Sequence, residues 1–176
     1  MVALRCPLSA LFSSLISPNG VPNHRGTLSA STTLRLSSSF NSVFRVTLTY
    51  KNNKLVADLL FQEINNDNDA ERMLPSSNLI IVVADIMSRA GLEYASGIIP
   101  YAKNFEKKPP VVLVGTKTDL RYEAELWTQD FEKVSRKLDV PFYLVSSKNG
   151  DKVAEMMNQI LELMLERFYA KKQVSQ

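Results

Sequence analysis

Residues 111–120 read Val-Val-Leu-Val-Gly-Thr-Lys-Thr-Asp-Leu, an apolar run followed by a polar one. Four consecutive apolar residues at 111–114 favour a strand that is buried on both faces of a parallel sheet. In sheets of this kind, ligands bind beyond the carboxyl ends of the strands. The polar stretch that starts at Gly115 is therefore a candidate binding loop.

Further strands and helices follow one another on both sides of this stretch. Apolar runs at 79–84 and 142–145 predict two more strands, and the second of them leads into Ser-Ser-Lys at 146–148. The segments 88–104, 123–138 and 151–168 have the pattern of helices. Strands that alternate with helices predict an α/β fold with three layers and a mostly parallel sheet.

The sequence pattern of residues 8–61 is less regular. Apolar and polar residues alternate over 44–50, a polar turn occupies 51–53, and a second apolar run follows at 54–61. This pattern predicts a β-hairpin, which contributes one antiparallel strand to the sheet. Residues 8–16, which follow Pro7, predict a short helix. Residues 28–42 are rich in Ser and Thr and predict a loop or an irregular strand.

The size and composition are those of one ordinary globular domain. The chain has 176 residues, of which 45% are apolar and 22% charged, and no apolar stretch approaches the roughly 20 residues of a transmembrane helix. We expect a single domain over residues 1–170 with an atypical, partly disordered stretch at 1–43, and a short tail at 171–176. The tail carries no prenylation-type cysteine.

Charge is unevenly distributed along the chain. The net charge is +3, yet Asp58 is the first acidic residue, and residues 1–57 contain six Arg or Lys. A basic, Ser-rich and acid-free beginning has two interpretations, an organellar transit segment or a part of the fold that lacks carboxylates. Cys6 is the only cysteine, which excludes an intramolecular disulfide and favours a cytoplasmic location. Short basic pairs are too sparse to indicate nucleic-acid binding.

Two loops carry a resemblance to a known family. Residues 116–119, Thr-Lys-Thr-Asp, resemble the Asn-Lys-x-Asp guanine-specificity segment of Ras-superfamily small GTPases, and Rho-type members often carry Thr first. Residues 146–148 resemble the family's Ser-Ala-Lys loop, at the family's spacing. The chain is therefore similar to Rho- or Rab-like small GTPases with the P-loop NTPase fold. The guanine-binding residues implied by the resemblance are Thr116, Lys117, Asp119, Ser146, Ser147 and Lys148.

The resemblance gives each of these residues a task. The carboxylate of Asp119 would accept hydrogen bonds from the guanine N1–H and 2-amino groups, a pair that adenine cannot supply. The aliphatic part of Lys117 would pack on the base plane, and the backbone N–H at Ser147 would meet the guanine carbonyl. A plainer interpretation stays open, in which 116–119 is a polar loop with Asp119 near a helix cap.

The phosphate side departs from the family pattern. No Gly-x-x-x-x-Gly-Lys-Ser/Thr motif occurs in the sequence, so the usual Lys and backbone N–H groups for phosphate are missing. By resemblance, Thr27 is a remnant of the first switch. Asp58, Phe61 and Gln62 are remnants of the second, with Phe61 in the place of the Mg²⁺-linked Asp. GTP hydrolysis is therefore not expected, and Mg²⁺ binding is left open.

Three functions follow from these observations. The first is a guanine-nucleotide-binding signalling or regulatory protein, using GTP or GDP, with impaired or absent hydrolysis. The second is a pseudo-GTPase that serves as a scaffold for protein partners. The third is an active small GTPase with an atypical N-terminal region, since the resemblance covers about residues 44–169. Protein partners are expected in all three.

Overall fold

The computed structural model describes the backbone of residues 33–37, 41–50, 53–64 and 67–174, and the side chains of residues 55–64 and 69–170. The strands in chain order are β1 (Thr33–Ser37), β2 (Asn41–Tyr50), β3 (Asn53–Gln62), β4 (Ile80–Asp85), β5 (Val111–Thr116) and β6 (Phe142–Leu144). The α-helices are α1 (Asp67–Met73), α2 (Arg89–Lys103), α3 (Thr128–Leu138) and α4 (Val153–Val174). Two 3-10 helices span Leu74–Ser76 and Thr118–Glu123.

The strand β5 is the centre of a parallel sheet with the order β4-β5-β6. All six of its residues are buried. Val111 and Leu113 belong to an apolar cluster with α2 and α3, whereas Val112 and Val114 pack with α4 on the opposite face. Because helices cover both faces, a continuous apolar run is what this position requires. The predicted α/β class and parallel sheet are confirmed.

A second, antiparallel sheet has the order β1-β2-β3. Its β2–β3 pair is the predicted hairpin, in the register that places Val46 opposite Ala57. Alternate residues of β3, including Leu55, Ala57 and Leu59, pack against α4. The helix α4 therefore contacts both sheets, and the described strands form two three-stranded sheets.

Several element boundaries differ from the sequence-based expectation. The strand β1 lies within residues 28–42, where a loop or irregular strand was expected, because it pairs with β2 over its whole length. The helix α1 falls in a stretch for which the sequence pattern predicted no element. The predicted helix at 8–16 lies outside the described residues.

The predicted helix 123–138 is wrong in its first part. A 3-10 helix ends at Glu123, and α3 begins only at Thr128. Trp127 has extended backbone, and its N–H donates to the carboxylate of Asp130 at 2.9 Å. This side-chain acceptor near the helix start fixes where α3 begins.

The helix α4 is longer than predicted, since its 22 residues run to Val174. Its apolar stripe is buried as expected at five positions, whereas Phe168 is 61% exposed. The buried positions are Val153, Met156, Met157, Ile160 and Leu161. Within the described residues, none of the helices combines the length and the apolar character that crossing a bilayer would need.

Gly115 is a position where any side chain is excluded by its neighbours. A Cβ atom there would lie 2.8 Å from the ring of Phe131 and would overlap the side chain of Leu144. We expect Gly115→Ala to lower the free energy of unfolding by about 1–3 kcal/mol, as overpacking does in a close-packed core. Urea unfolding followed by circular dichroism measures this change.

Gly97 provides the matched control for that substitution. It lies in α2, is exposed, and has no atom within 4 Å of a Cβ position. Gly97→Ala should raise the free energy of unfolding by up to about 1 kcal/mol, because alanine favours helix over glycine. An equal loss of stability in both variants would contradict the packing account of Gly115.

Candidate functional site

The two candidate loops lie side by side because the strands that precede them are neighbours. The strands β5 and β6 are parallel, with Gly115 opposite Leu144, so their carboxyl ends meet at the same edge of the sheet. Two backbone hydrogen bonds tie the loops together: the Val145 N–H donates to the Gly115 oxygen at 2.9 Å, and the Thr118 N–H donates to the Val145 oxygen at 3.3 Å. The structure thus brings residues 116–119 and 146–148 into one site.

The carboxylate of Asp119 stands at the centre of this site. The hydroxyl of Ser146 donates to its Oδ1 at 2.6 Å, and the Nζ of Lys148 lies 3.9 Å from its Oδ2. The Ser146 residue is fully buried, whereas the Asp119 side chain is 14% exposed. A carboxylate offers about four lone-pair positions, so Asp119 retains acceptor capacity beyond the bond from Ser146.

The surroundings of Asp119 favour its charged form. The hydrogen bond from Ser146 is the main cause that holds the pKa of this carboxyl below its ordinary value of 3.8. Burial acts in the opposite direction, while a backbone hydrogen bond and the charges of Lys148 and Lys117 add to the lowering of the pKa. Asp119 is therefore an ionised acceptor at neutral pH, held in place by a buried hydroxyl.

The segment of the chain that carries both loops matches a known family. The model of the family described as Ras family matches residues 62–166, more than half of the chain, and both loops lie inside the match. The chain belongs to the Ras family. Its α/β architecture is accordingly the small-GTPase, P-loop NTPase fold. No curated protein matches the chain.

In this Ras-family chain, Lys117 has an unusual backbone conformation. Its φ of 67° lies in the left-handed region, which costs a residue with a side chain about 1 kcal/mol. The turn is held by the Leu120 N–H, which donates to the Lys117 oxygen at 2.9 Å. The strained turn therefore sets the direction in which the lysine leaves β5, and such strain is typical of functional loops.

Asp85 is a site residue that the sequence analysis missed. It is the last residue of β4, beside β5, and its carboxylate forms an ion pair with the Nζ of Lys117. Its Oδ1 also accepts the Met87 N–H at 2.9 Å. The sequence signal was an acidic residue directly after the apolar run 79–84, at a strand end like the other two loops. Asp85 thus anchors the lysine to the neighbouring strand.

The other residues of the two loops differ in exposure. Thr116 is buried, and its hydroxyl lies 3.5 Å from the Ala84 oxygen, which makes it a link between β5 and β4. Ser147 is half-buried, and Lys148 is exposed over 79% of its side chain. Thr116 is therefore part of the core, whereas Ser147 and Lys148 line the accessible side of the site.

The residues that resemble the second switch lie in the other sheet. Asp58, Phe61 and Gln62 are all on β3, where Phe61 packs against the apolar cluster of α4. Asp58 and Gln62 are exposed. Thr27, the first-switch candidate, lies outside the described residues. The structure therefore places Asp58, Phe61 and Gln62 on a strand of the antiparallel sheet, while Asp85 and the loops 116–119 and 146–148 lie at the carboxyl edge of the parallel one.

The described side chains form no cluster of metal ligands. Between residues 55 and 170, with the gap at 65–68, no three His, Cys, Asp or Glu side chains come together as a metal site. The carboxylates of Asp85 and Asp119 instead face lysines.

The lowered pKa of Asp119 predicts a specific effect of its hydroxyl partner. In Ser146→Ala, the pKa of Asp119 should rise toward its ordinary value, because the largest cause of the lowering is removed. Carboxyl-detected NMR titration measures that pKa directly. Ser96→Ala is the control, since the Ser96 hydroxyl donates to the Glu93 oxygen in an exposed hydrogen bond on α2, and it should leave the titration of Asp119 unchanged.

The same shift has a consequence for stability at low pH. A carboxyl whose pKa is lower in the folded state stabilises the fold above the unfolded pKa, and this contribution is lost as the pH falls through the folded pKa. The wild-type protein should therefore lose more of its unfolding free energy than Ser146→Ala between neutral pH and the region below 3.8. Equal acid sensitivity of the two proteins would contradict this assignment.

Proposed function

We propose that this Ras-family protein is a regulatory guanine-nucleotide-binding protein that recognises the base through Asp119 and does not hydrolyse GTP by itself. The observation that carries the proposal is the ionised Asp119 carboxylate, fixed by the buried Ser146 hydroxyl between two loops at a strand edge. A preorganised acceptor loses little freedom on binding, which favours affinity.

The geometry supports a distinct role for each residue. The guanine N1–H and 2-amino groups donate to the Asp119 carboxylate, and the Ser147 backbone N–H donates to the guanine carbonyl. The aliphatic part of Lys117 packs against the base while its Nζ stays with Asp85. Adenine offers no matching donor pair, so its binding would leave the carboxylate without ligand hydrogen bonds, and that cost is the basis of selectivity.

The phosphate side supports binding without turnover. Phosphoryl transfer depends on a lysine clamp, a Mg²⁺ ion and a positioned glutamine around the reacting phosphate. The 176-residue sequence contains no phosphate-loop motif, and Phe61 packs against α4 where the family has a carboxylate. Nucleotide affinity should then come mainly from the base.

The assignment to a branch of the superfamily rests on one residue. Thr116 occupies the first position of the guanine motif, as is common in Rho-type members, and its hydroxyl lies near the Ala84 oxygen rather than in the open site. This supports a Rho-like assignment within the proposal.

A direct test is a titration of the purified full chain with fluorescent GDP and GTP analogues, with and without Mg²⁺ and in competition with ATP. We expect saturable binding that unlabelled GDP, GTP and guanosine displace with similar affinities and that ATP does not displace. Single-turnover assays with excess protein should release no phosphate from GTP. Displacement by ATP as effective as that by GDP, or GTP hydrolysis at the rate of an active family member, would overturn the proposal.

A second function, a scaffold for protein partners, is favoured by exposed apolar side chains outside the guanine site. Val56 and Leu60 on β3 and Tyr94 and Tyr101 on α2 are each more than 40% exposed. Large exposed apolar groups that cluster on a surface are typical of interaction sites. The absence of any nucleotide binding up to millimolar concentrations would favour the scaffold function over nucleotide binding.

A further inference from the structure

The loop that follows β6 contains an asparagine directly before a glycine, Asn149 and Gly150. The N–H of Ser146 donates to the backbone oxygen of Asp151 at 3.2 Å, which closes a small ring of backbone around this pair. The hydroxyl of the same Ser146 donates to the carboxylate of Asp119. The Asn-Gly pair therefore lies inside a closed loop that also positions the candidate site.

The backbone at Gly150 favours glycine over other residues. Its φ is 72°, in the left-handed region that glycine adopts without a steric cost. Because glycine has no side chain, its N–H is not shielded by an atom of its own residue. Within residues 55–64 and 69–170, this N–H has no hydrogen-bond acceptor. The nitrogen of Gly150 is therefore accessible to the preceding side chain.

The side chain of Asn149 is unrestrained as well. It is exposed, and its carboxamide makes no hydrogen bond in the part of the chain with described side chains. A carboxamide in this situation can turn until its Cγ faces the nitrogen of the next residue. Asn104 on the carboxyl end of α2 is also exposed, but it precedes Phe105, whose side chain hinders the same approach. Exposure alone thus does not make the two asparagines alike.

We propose that Asn149 is a site of spontaneous modification, at which asparagine converts to isoaspartate with water as the only co-reactant. Hydroxide removes the proton of the Gly150 N–H, and the nitrogen forms a bond to the Cγ of Asn149. The Cγ–Nδ2 bond breaks, and Nδ2 leaves as ammonia after taking a proton from water, which restores the hydroxide. Water then opens the resulting cyclic imide. Cleavage between the imide nitrogen and the backbone carbonyl gives isoaspartate, and cleavage at Cγ gives aspartate.

Isoaspartate changes the loop in two ways. The main chain then runs through the side-chain methylene, so the ring that the Ser146–Asp151 hydrogen bond closes becomes longer. A free carboxylate also appears next to Lys148, whose Nζ lies 3.9 Å from the Asp119 carboxylate. The longer ring no longer holds the Ser146 N–H against its acceptor. Under the proposed function, on which this step rests, the Ser147 N–H is then turned away from the guanine carbonyl.

Mass spectrometry of the aged full chain tests the modification itself. The protein is kept at mildly alkaline pH and then cleaved after glutamate, which releases residues 133–155, a peptide whose only Asn or Gln is Asn149. We expect this peptide to exchange NH₂ for OH in its mass and to become a substrate of an isoaspartate-specific methyltransferase, faster at higher pH. Fresh protein that is digested in the same way gives the starting value.

The same digest contains the matched control. Residues 94–106 form a peptide whose only Asn or Gln is Asn104, and it should be unchanged when most of Asn149 has been converted. The other Asn-Gly pair of the sequence, at 19–20, falls in a different peptide and lies outside the described residues. In Asn149→Gln, residues 133–155 should stay unmodified, because the longer side chain would have to close a larger ring. Conversion of Asn149 no faster than that of Asn104 would overturn the proposal.

Hydrogen exchange tests the opening of the loop without any nucleotide. The Ser146 amide, which donates to Asp151, should exchange faster in the isoaspartate fraction than in unmodified protein. The Leu113 amide, which donates to the Pro141 oxygen in the sheet, should exchange at the same rate in both. Unchanged exchange at Ser146 would overturn the proposed effect on the loop.

A guanosine titration tests the effect on the candidate site. The isoaspartate fraction, separated by its added negative charge, should bind guanosine about tenfold more weakly or worse, the effect of one lost hydrogen bond. Aged Asn149→Gln should keep the affinity of its fresh form. Equal affinity of modified and unmodified protein would overturn the proposed effect on the site. Fresh protein that binds no guanosine would contradict the proposed function instead, and the mass and exchange measurements decide the modification independently of it.

Discussion

Asp119→Asn is expected to weaken the binding of guanosine and GDP by about 100-fold or more, because the amide replaces an acceptor oxygen by a donor NH₂ opposite the guanine donors. The same change should improve binding of xanthosine, whose 2-carbonyl accepts from that NH₂. Competition titrations with guanosine, xanthosine and adenosine measure both effects. A reciprocal gain and loss of this kind cannot come from a general loss of folding.

Asp139 provides the control for this exchange. It is an exposed residue at the carboxyl end of α3 with a φ of 50°, a conformation that asparagine adopts readily. Asp139→Asn should leave both affinities within experimental error of the wild type. If Asp119→Asn retained wild-type guanosine affinity, the carboxylate would not be the base acceptor, and Asp119 would be merely a helix-capping residue of a polar loop.

Phe131→Ala is expected to lower the free energy of unfolding by about 3–5 kcal/mol, the usual cost of removing a buried aromatic ring. Phe131 has no exposed surface and lies where a side chain at Gly115 would clash, directly behind the strand that leads into the loop 116–119. Since domains of this size are stable by about 5–15 kcal/mol, the substitution removes a large part of the free energy of unfolding. Thermal and urea unfolding measure it.

The same substitution at Phe168 tests whether the loss of unfolding free energy comes from the burial of the ring or from the residue type. The ring of Phe168 is 61% exposed on α4 and contacts the neighbouring ring of Tyr169. Phe168→Ala should change the free energy of unfolding by no more than about 0.5 kcal/mol, as is usual for surface positions. A loss at Phe131 no larger than that at Phe168 would show that the core around β5 is not packed as described.

The parts of the fold that sequence predicted well are those where pattern and environment agree. The residues of β5 form a continuous apolar run because α2 and α3 cover one face and α4 the other. The β2–β3 hairpin could be predicted because apolar and polar residues alternate next to a polar turn. In these elements the local preference and the long-range packing select the same structure.

The elements that the sequence left open or placed wrongly are those that depend on specific partners. The strand β1 has a Ser- and Thr-rich sequence, and its strand conformation rests on pairing with β2. The start of α3 was placed too early because the residues before Thr128 could continue a helix, yet the extended Trp127 and the carboxylate of Asp130 set the boundary. The local sequence pattern contains no information on which strand pairs with which, or on which side chain sets the start of a helix.

Some features of the candidate site could likewise be predicted from the sequence, and others could not. The proximity of the loops 116–119 and 146–148 was predictable because each follows an apolar strand, and parallel neighbours place their ends together. The bond from Ser146 to Asp119 and the pairing of Lys117 with Asp85 were not, since each joins residues that are 27 to 32 positions apart and depends on side-chain direction. The sequence predicted that the two loops lie together, and only the structure supplied their hydrogen bonds and ion pairs.

The most direct test of base recognition is a titration of the isotopically labelled full chain with guanosine and, separately, adenosine, followed by amide NMR spectra. We expect saturable shifts with guanosine that concentrate at residues 116–119 and 146–148, and no saturable shifts there with adenosine. Equal responses to the two nucleosides, or guanosine shifts that spare both loops, would contradict it.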